Sequence, residues 1–345
     1  MENTAPKIKK ETKNKIRVEF ERTSRWQRFK LKYLSVNFLA TVLFKIFRFA
    51  LLVGISFVIL YPFFTKISSS FMSPEDFVDA TVKLIPKYPT LNTYKQIIIE
   101  NHYFKAMFNT ALLSLICGII QTFICCLIGY GFAKYKFKGS KLLFAFVVLT
   151  MIVPHQTLKY SMFLKFRYFD IGIFGWGIFA DVFGKQGGFN LTDTYIPLIM
   201  LSLFGLAFKN GLYIFMMRQF FRGVPDELEE SAYIDGSGVF RTFIQIILPL
   251  SIPMMITIFL FAFSWQWTDN FYTSTSMFFP GRSQVLLSKI VTIPKTLDVT
   301  YAGGNMFSAA IRNTCALLIL APLIIVYLFC QRYLIQGIER SGITG

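Results

Sequence analysis

The sequence predicts an all-α polytopic membrane protein, and three observations carry that prediction. Of 345 residues, 54% are hydrophobic and 17% aromatic, and the mean hydropathy is +0.51, too apolar for a water-soluble chain of this length. The apolar residues gather near 47–66, 107–132, 143–161, 195–217, 251–272 and 309–330, each stretch close to the ~20 residues that cross a ~30 Å hydrocarbon layer as a helix. Basic residues concentrate in the tail before residue 46 and in alternate short loops, which fixes one orientation.

Taken in order, the tail carries Lys and Arg from Lys7 to Lys45 and is expected in the cytoplasm. Trp26, Phe29, Tyr33, Leu34 and Phe38 recur at helical spacing within 16–45, which suits a helix lying on anionic lipid. Its first part, to about residue 24, reads as a disordered basic tail. The second inside loop, Lys134-Tyr-Lys136-Phe-Lys138-Gly-Ser-Lys141, agrees with that orientation. The third stretch is interrupted by Pro154, His155 and Lys159, and apolar sequence resumes after Arg167, so its ends are expected to shift. Six spans put both termini inside. The organisation expected is a tail over 1–45, a transmembrane domain over 46–335 and a cytoplasmic tail over 336–345.

The net charge of +17 does not indicate nucleic-acid binding, because much of it lies where it sets topology and meets lipid headgroups. The charged, polar start has no early apolar core, so no cleavable signal peptide is expected. Cys117, Cys125, Cys126, Cys315 and Cys330 fall within predicted spans, where cysteine acts as a small apolar residue. His102 and His155 are the only histidines, too few for most metal or catalytic clusters. At Gly184-Lys185-Gln186 a phosphate loop is approached but not made, since Phe179 stands where the first glycine belongs and Gln186 where Ser or Thr should be. There is no His-Glu-x-x-His and no nucleophile elbow. Asn190-Leu191-Thr192 fits a glycosylation sequon, a triplet common by chance. No internal duplication is visible.

One polar run stands between the fourth and fifth stretches, Pro225-Asp-Glu-Leu-Glu-Glu-Ser-Ala-Tyr-Ile-Asp-Gly-Ser-Gly238. Pro225 suits a helix start, and Asp226, Glu227, Glu229 and Glu230 sit at its positive end. The glycines at 236 and 238 stop it. A second short helix is expected from Val239 to Ile247, with Pro249 and Pro253 marking the return to apolar sequence.

Here a resemblance becomes specific. Glu230-Ser231-Ala232, three residues, Gly236, nine residues, then Ile246-x-Leu248-Pro249 resembles the EAA loop of permease subunits of binding-protein-dependent ABC importers, with Ser231 in place of the first alanine. Pro89-Thr-Leu-Asn-Thr-Tyr, Phe108-Asn109-Thr110, Gly129-Tyr-Gly-Phe-Ala-Lys, Met151-Ile-Val-Pro154, Trp265-Gln-Trp-Thr-Asp269-Asn270 and the tail from Gln331 to Gly345 are similar to the carbohydrate-type branch, in particular the smaller maltose-permease-type subunit. The likeness covers roughly 47–345.

The resemblance implies a non-catalytic transport subunit of a sugar or oligosaccharide importer in a bacterial or archaeal inner membrane, working by alternating access. It implies a second permease subunit, an ABC ATPase dimer and an extracytoplasmic solute-binding protein as partners. ATP and magnesium would be used by the ATPases, with no cofactor in this chain. The loop would dock as a coupling helix in an ATPase groove, through Glu227, Leu228, Glu230, Ser231, Ala232, Tyr233, Asp235, Gly236 and Gly238. Leu228, Ala232 and Tyr233 would be apolar anchors, and Glu230 would meet a basic group or backbone donors.

Intramembrane ionisable groups are costly and so mark candidate sites. Lys209, Asn210, Trp265, Trp267 and Asn270 are candidates for the substrate path, with aromatic faces for sugar rings and amides for hydroxyls. Lys209 snorkelling or pairing with a neighbouring helix, and tryptophans at the lipid interface, are the plainer alternatives. Lys209 also admits an acidic cargo, and glycerol phosphate or an oligosaccharide would fit equally. A membrane enzyme acting on lipid-linked sugars and a secondary transporter are the rival classes.

Overall fold

A computed structural model describes residue 26 and residues 36–173, 176–177, 188–281 and 285–342. The expected lipid-surface helix over 16–45 falls largely outside them, as does the near-miss at 184–186. The chain divides into two units, residues 1–66 and 67–345. The first contains most of α1, Val36–Ser70, a helix apolar on every side that contains Pro62.

In the second unit α2 (Asn92–Glu100) leads into α3 (Tyr103–Lys134), followed by α4 (Ser140–Ile152) and α5 (Lys159–Arg167). A two-residue hairpin pairs Gly172–Ile173 with Trp176–Gly177. Then come α6 (Ile196–Leu203), α7 (Asn210–Arg222), α8 (Glu227–Ile234), α9 (Val239–Thr242), α10 (Leu248–Trp267) and α11 (Gly304–Gly342). The protein is thus helical and polytopic.

Among the described residues four helices are long and apolar enough to cross a membrane: Ala40–Ser70, Tyr103–Lys134, Val239–Trp267 and Gly304–Tyr333. They contain the first, second and sixth apolar stretches and most of the fifth. The third stretch is a bent pair, Ser140–Ile152 and His155–Arg167, turned by 95°. The bend sits at Val153, forced to an extended ψ of 119° by the ring of Pro154. The fourth stretch, expected as one helix, is two. α6 ends where Gly205 adopts φ +70 and the Leu206 N–H closes back on the Leu201 carbonyl at 2.8 Å, a glycine-capped stop. Lys209, at φ +69, opens α7. Periodicity alone shows no such stop, because Gly205 is a single residue in an apolar run.

The expected second knob helix also differs. Val239–Trp267 is one helix, because a π turn over Phe243–Ile247 precedes Pro249, and this local widening accommodates a residue that would otherwise end the helix. The helix stops at Trp267, short of the expected 272.

α3 is the centre of packing, set against α6, α7 and α10. It can be approached closely because Ser114, Cys117, Cys125, Cys126 and Gly129 line its buried side, and small residues let helix backbones meet. A Cβ on Gly129 would lie 2.5 Å from the Met217 Cβ. Within α11, Pro322 leaves the Leu318 carbonyl without its helical donor. The Tyr103 hydroxyl supplies one at 3.0 Å, and Trp267 Nε1 donates to the neighbouring Ile319 carbonyl at 2.9 Å. The cysteines are free thiols, four of them buried.

Gly129→Ala should therefore lower the thermal denaturation midpoint of the detergent-solubilised protein, by overpacking worth about 1–3 kcal/mol. Gly131→Ala, whose Cβ meets nothing within 4 Å, should not lower it, and equal loss in both variants would mean that the α3–α7 approach is not the constraint.

Candidate functional site

The polar knob is built on a buried lysine. Lys134 ends α3, its side chain only 6% exposed, and its Nζ donates to the Val224 carbonyl at 2.6 Å and to Asp226 Oδ1 at 2.5 Å. Glu229 Oε1 lies 3.7 Å from the same ammonium, and Glu229 Oε2 accepts from the Tyr130 hydroxyl at 3.2 Å. Tyr130 is itself packed between Phe221 and Phe243. Two residues of α3, one helical turn apart, thereby hold the first turn of α8 from below. The hydrogen bond and charge of Lys134 keep the Asp226 carboxyl below its ordinary value. That pair is intact at neutral pH and weakens only as pH falls through the lowered value.

α8 begins at Glu227 with Asp226 preceding it, two residues after Pro225. It ends as the Ser237 N–H reaches the Ala232 carbonyl at 2.9 Å and the Gly236 N–H reaches Tyr233 at 3.0 Å. This closure needs a left-handed residue, supplied by Gly236 at φ +81. The demand is conformational, since a Cβ there would meet nothing within 4 Å. Gly238 has neither a positive φ nor a close neighbour.

The two faces of α8 differ. Glu229 and Ala232 are turned into the protein's own body, Ala232 at 5% exposure. Ala232 therefore does not project as an outward anchor; it sits three residues after Glu229 on the inner stripe. Glu227, Leu228, Glu230, Ser231, Tyr233, Asp235, Gly236 and Gly238 are exposed. So are Ile234 at 86% and Phe240 at 74%, which the sequence reading did not single out. The result is an exposed acidic surface that also carries the exposed apolar side chains of Leu228, Ile234 and Phe240.

Beside the end of α10, and reaching Gln121 midway along α3, lie two adjoining cavities. The smaller, about 220 Å³, is lined by Gln121, His155, Gln156, Phe208, Trp265, Gln266, Asn270 and Tyr272, among others. The larger, about 870 Å³, runs along the bent pair and the break between α6 and α7, past Lys165 and Lys209. They share His155, Gln156, Leu201, Ala207 and Phe208. Aromatic faces with a few amides are the usual lining of a small-molecule site.

Of the five sequence candidates, Trp265 and Asn270 line the smaller cavity and Lys209 the larger. Trp267 is buried against α11 and donates to a backbone carbonyl, which gives it a structural task. Asn210 is 1% exposed and lines neither cavity. Gln121, His155, Gln156, Phe208 and Gln266 were not anticipated. His155 beside Pro154 in a broken span, and Gln121 within an apolar helix, were the signals available.

Asp269, in the lining of the smaller cavity, is turned to its own backbone. Its Oδ1 accepts the Phe271 and Tyr272 N–H groups at 3.1 and 3.2 Å, and its Oδ2 accepts that of Thr273 at 2.9 Å. The Lys209 Nζ stands 4.9 Å from the Phe208 ring and 5.1 Å from that of Trp265, within cation–π range.

Residues 125–340 match the family model of the binding-protein-dependent transport system inner membrane component. The chain belongs to that family. Among relatives of this permease, the polygalacturonan/rhamnogalacturonan transport system permease protein YtcP of Bacillus subtilis is 25% identical over 311 residues, 88% of this chain and 99% of that protein. The maltodextrin transport system permease protein MalD of Streptococcus pneumoniae is 28% identical over 301 residues, 85% and 93% of the two chains. A chain in the crystal structure of a bacterial ABC transporter involved in the import of the acidic polysaccharide alginate superposes with a TM-score of 0.61 at 19% identity. It covers 85% of this permease and 97% of that chain, which shows a common fold. The relatives are transport permease subunits, and this chain is likewise a membrane transport component.

Lys134→Met should leave Glu229 buried with only the Tyr130 hydroxyl, a loss of about 1–3 kcal/mol, read as a lower denaturation midpoint and faster proteolysis within 223–238. Adding Glu229→Leu should recover much of it, since neither charge then remains unpaired. Full stability in the single variant would rule the ion pair out as the knob's support.

Proposed function

We propose that this permease is one of two membrane subunits of an ATP-driven importer for a sugar or oligosaccharide, and that the 225–249 loop couples it to separate ATPase subunits. The observation that carries the reading is the knob itself. It presents Glu227, Glu230 and Asp235 with Leu228, Ile234 and Phe240 outward, while Lys134 and Tyr130 tie its inner face to α3. An acidic amphipathic helix of this kind suits a groove with basic rims and an apolar floor. Counting the bent third pair and the broken fourth pair as one crossing each gives six crossings. With the basic loops inside, both termini and the knob face the cytoplasm of a bacterial or archaeal inner membrane.

Support for a saccharide comes from the aromatic and amide lining of the smaller cavity, and from relatives named for polygalacturonan, maltodextrin and galactooligosaccharide transport. ATP binding and hydrolysis with magnesium would belong to an ATPase dimer. A second permease would complete the pathway, and an extracytoplasmic binding protein would deliver cargo to the segments near 67–106, 162–194 and 273–308. Alternating access would follow when ATP closes the ATPases and the two knobs move with them. An enzyme acting on lipid-linked sugars and a secondary transporter have no comparable use for the knob.

Affinity purification of the permease from its own membranes should bring down an ATPase and a second permease. Glu230→Lys should reduce ATPase recovery at least tenfold with the second permease retained, and Gly236→Leu should do likewise by straining the φ +81 corner. Normal ATPase recovery in both variants would remove the coupling assignment.

A further inference from the structure

The break between α6 and α7 places a cation that no carboxylate among the described residues pairs with. Lys209 is held at φ +69, a conformation costly for a residue with a Cβ and one that clusters at ligand sites. Among the described residues no carboxylate lies within 4.0 Å of its ammonium, which faces the Phe208 and Trp265 rings instead. Of the other charged groups lining the cavities, Asp269 is occupied by three backbone N–H groups. Lys165 is tied to the Asp170 carbonyl at 2.8 Å. His155 bonds to the Tyr272 hydroxyl and lies tilted against the Phe208 ring. The larger cavity is thus lined by two lysines and no carboxylate, and the half-buried Lys209 ammonium has no counter-ion among the described residues.

A neutral saccharide would leave that ammonium compensated by ring faces alone, whereas an anionic group would replace its lost hydration with a charge-assisted bond. Beside it, Trp265 is about half exposed and can take the C–H face of a sugar ring. Gln266 lines the same cavity as Trp265, and its Nε2 is buried without a hydrogen-bond partner, so a rotation of the amide toward the cavity would let it donate to a hydroxyl or ring oxygen. Lys209 lines the larger cavity, at about 870 Å³ inside the roughly 300–1,000 Å³ range of ligand sites, while Trp265 and Gln266 line the adjoining one of about 220 Å³ that shares His155 and Phe208 with it. We propose that the cargo is an anionic saccharide whose acidic group is read by Lys209 while Trp265 and Gln266 take the adjoining sugar. This rests on the importer reading above. The anion is a carboxylate or a phosphate, the chemistry being the same at the lysine.

The experiment is uptake by cells carrying the full importer, with trigalacturonate, its methyl ester and a hexose phosphate as probes. The wild type should prefer trigalacturonate or the hexose phosphate to the neutral ester. The acidic-to-ester uptake ratio should fall at least tenfold in Lys209→Met and Lys209→Gln and be restored in Lys209→Arg, with ATPase co-purification verifying assembly in every variant. Preference for the ester, or an unchanged ratio in Lys209→Met, would overturn the proposal while leaving the importer reading in place. Uptake of none of the three, together with no ATPase recovered, would overturn both.

Discussion

Everything in this fold follows from one constraint: where a helix breaks in an apolar environment, the backbone groups it frees must find partners within the protein. Pro322 frees a carbonyl, and Tyr103 from another helix supplies the donor. Gly205 stops α6, and the N–H of Leu206 turns back to satisfy Leu201. Beyond α10 the chain is held by Asp269 accepting three successive N–H groups. The breaks are thus closed either by the chain turning back on itself or, at Pro322, by a side chain from α3 that ties α11 to it.

The breaks also determine where a ligand can go. An unbroken fourth span would have put Lys209 on a continuous helix surface, free to extend toward a membrane face. Because α6 ends at Leu203 and α7 starts at Asn210, the lysine instead caps a helix start and lies across two aromatic rings. The 95° bend after Ile152 sets His155 and Gln156 against the same space. Discontinuous helices beside a cavity are what transport sites in membranes commonly require, since irregular backbone is tolerated only where it is buried in protein or lines such a space.

Length and charge made the class legible, because ~20-residue apolar runs and basic loops follow directly from bilayer thickness and surface potential. The knob was legible because glycine at 236 and the acids near 227 have positional meaning. The inner or outer facing of Ala232 was not, since a short helix of mixed composition gives no clear stripe until Lys134 is known to reach Glu229 from a distant part of the chain. The continuity of Val239–Trp267 was hidden for a similar reason. Pro249 ordinarily reads as a stop, and only the π turn before it lets the helix pass. The structural use of Trp267 depended on the Ile319 carbonyl, 52 positions away in sequence, a pairing no local pattern contains.

Coupling on the proposed mechanism needs a mechanical path from knob to cavity, and two stiff elements provide one. The helix through α9 and α10 carries Phe243, packed on Tyr130 at the knob, and Trp265 at the cavity. At about 1.5 Å per residue those positions are roughly 30 Å apart. α3 runs beside it with Lys134 at one end and Gln121 on the cavity wall. Since α8 is fastened to α3 and leads directly into α9, a displacement of the knob acts on both helices at once. Gly129 allows α3 to approach α7 without a side chain between them, so motion of α3 also bears on the helix that Lys209 opens. The wall that carries the cation and the wall that carries Trp265 are therefore joined to the knob through separate helices, which is the arrangement a site needs if movement at one end is to change its width at the other.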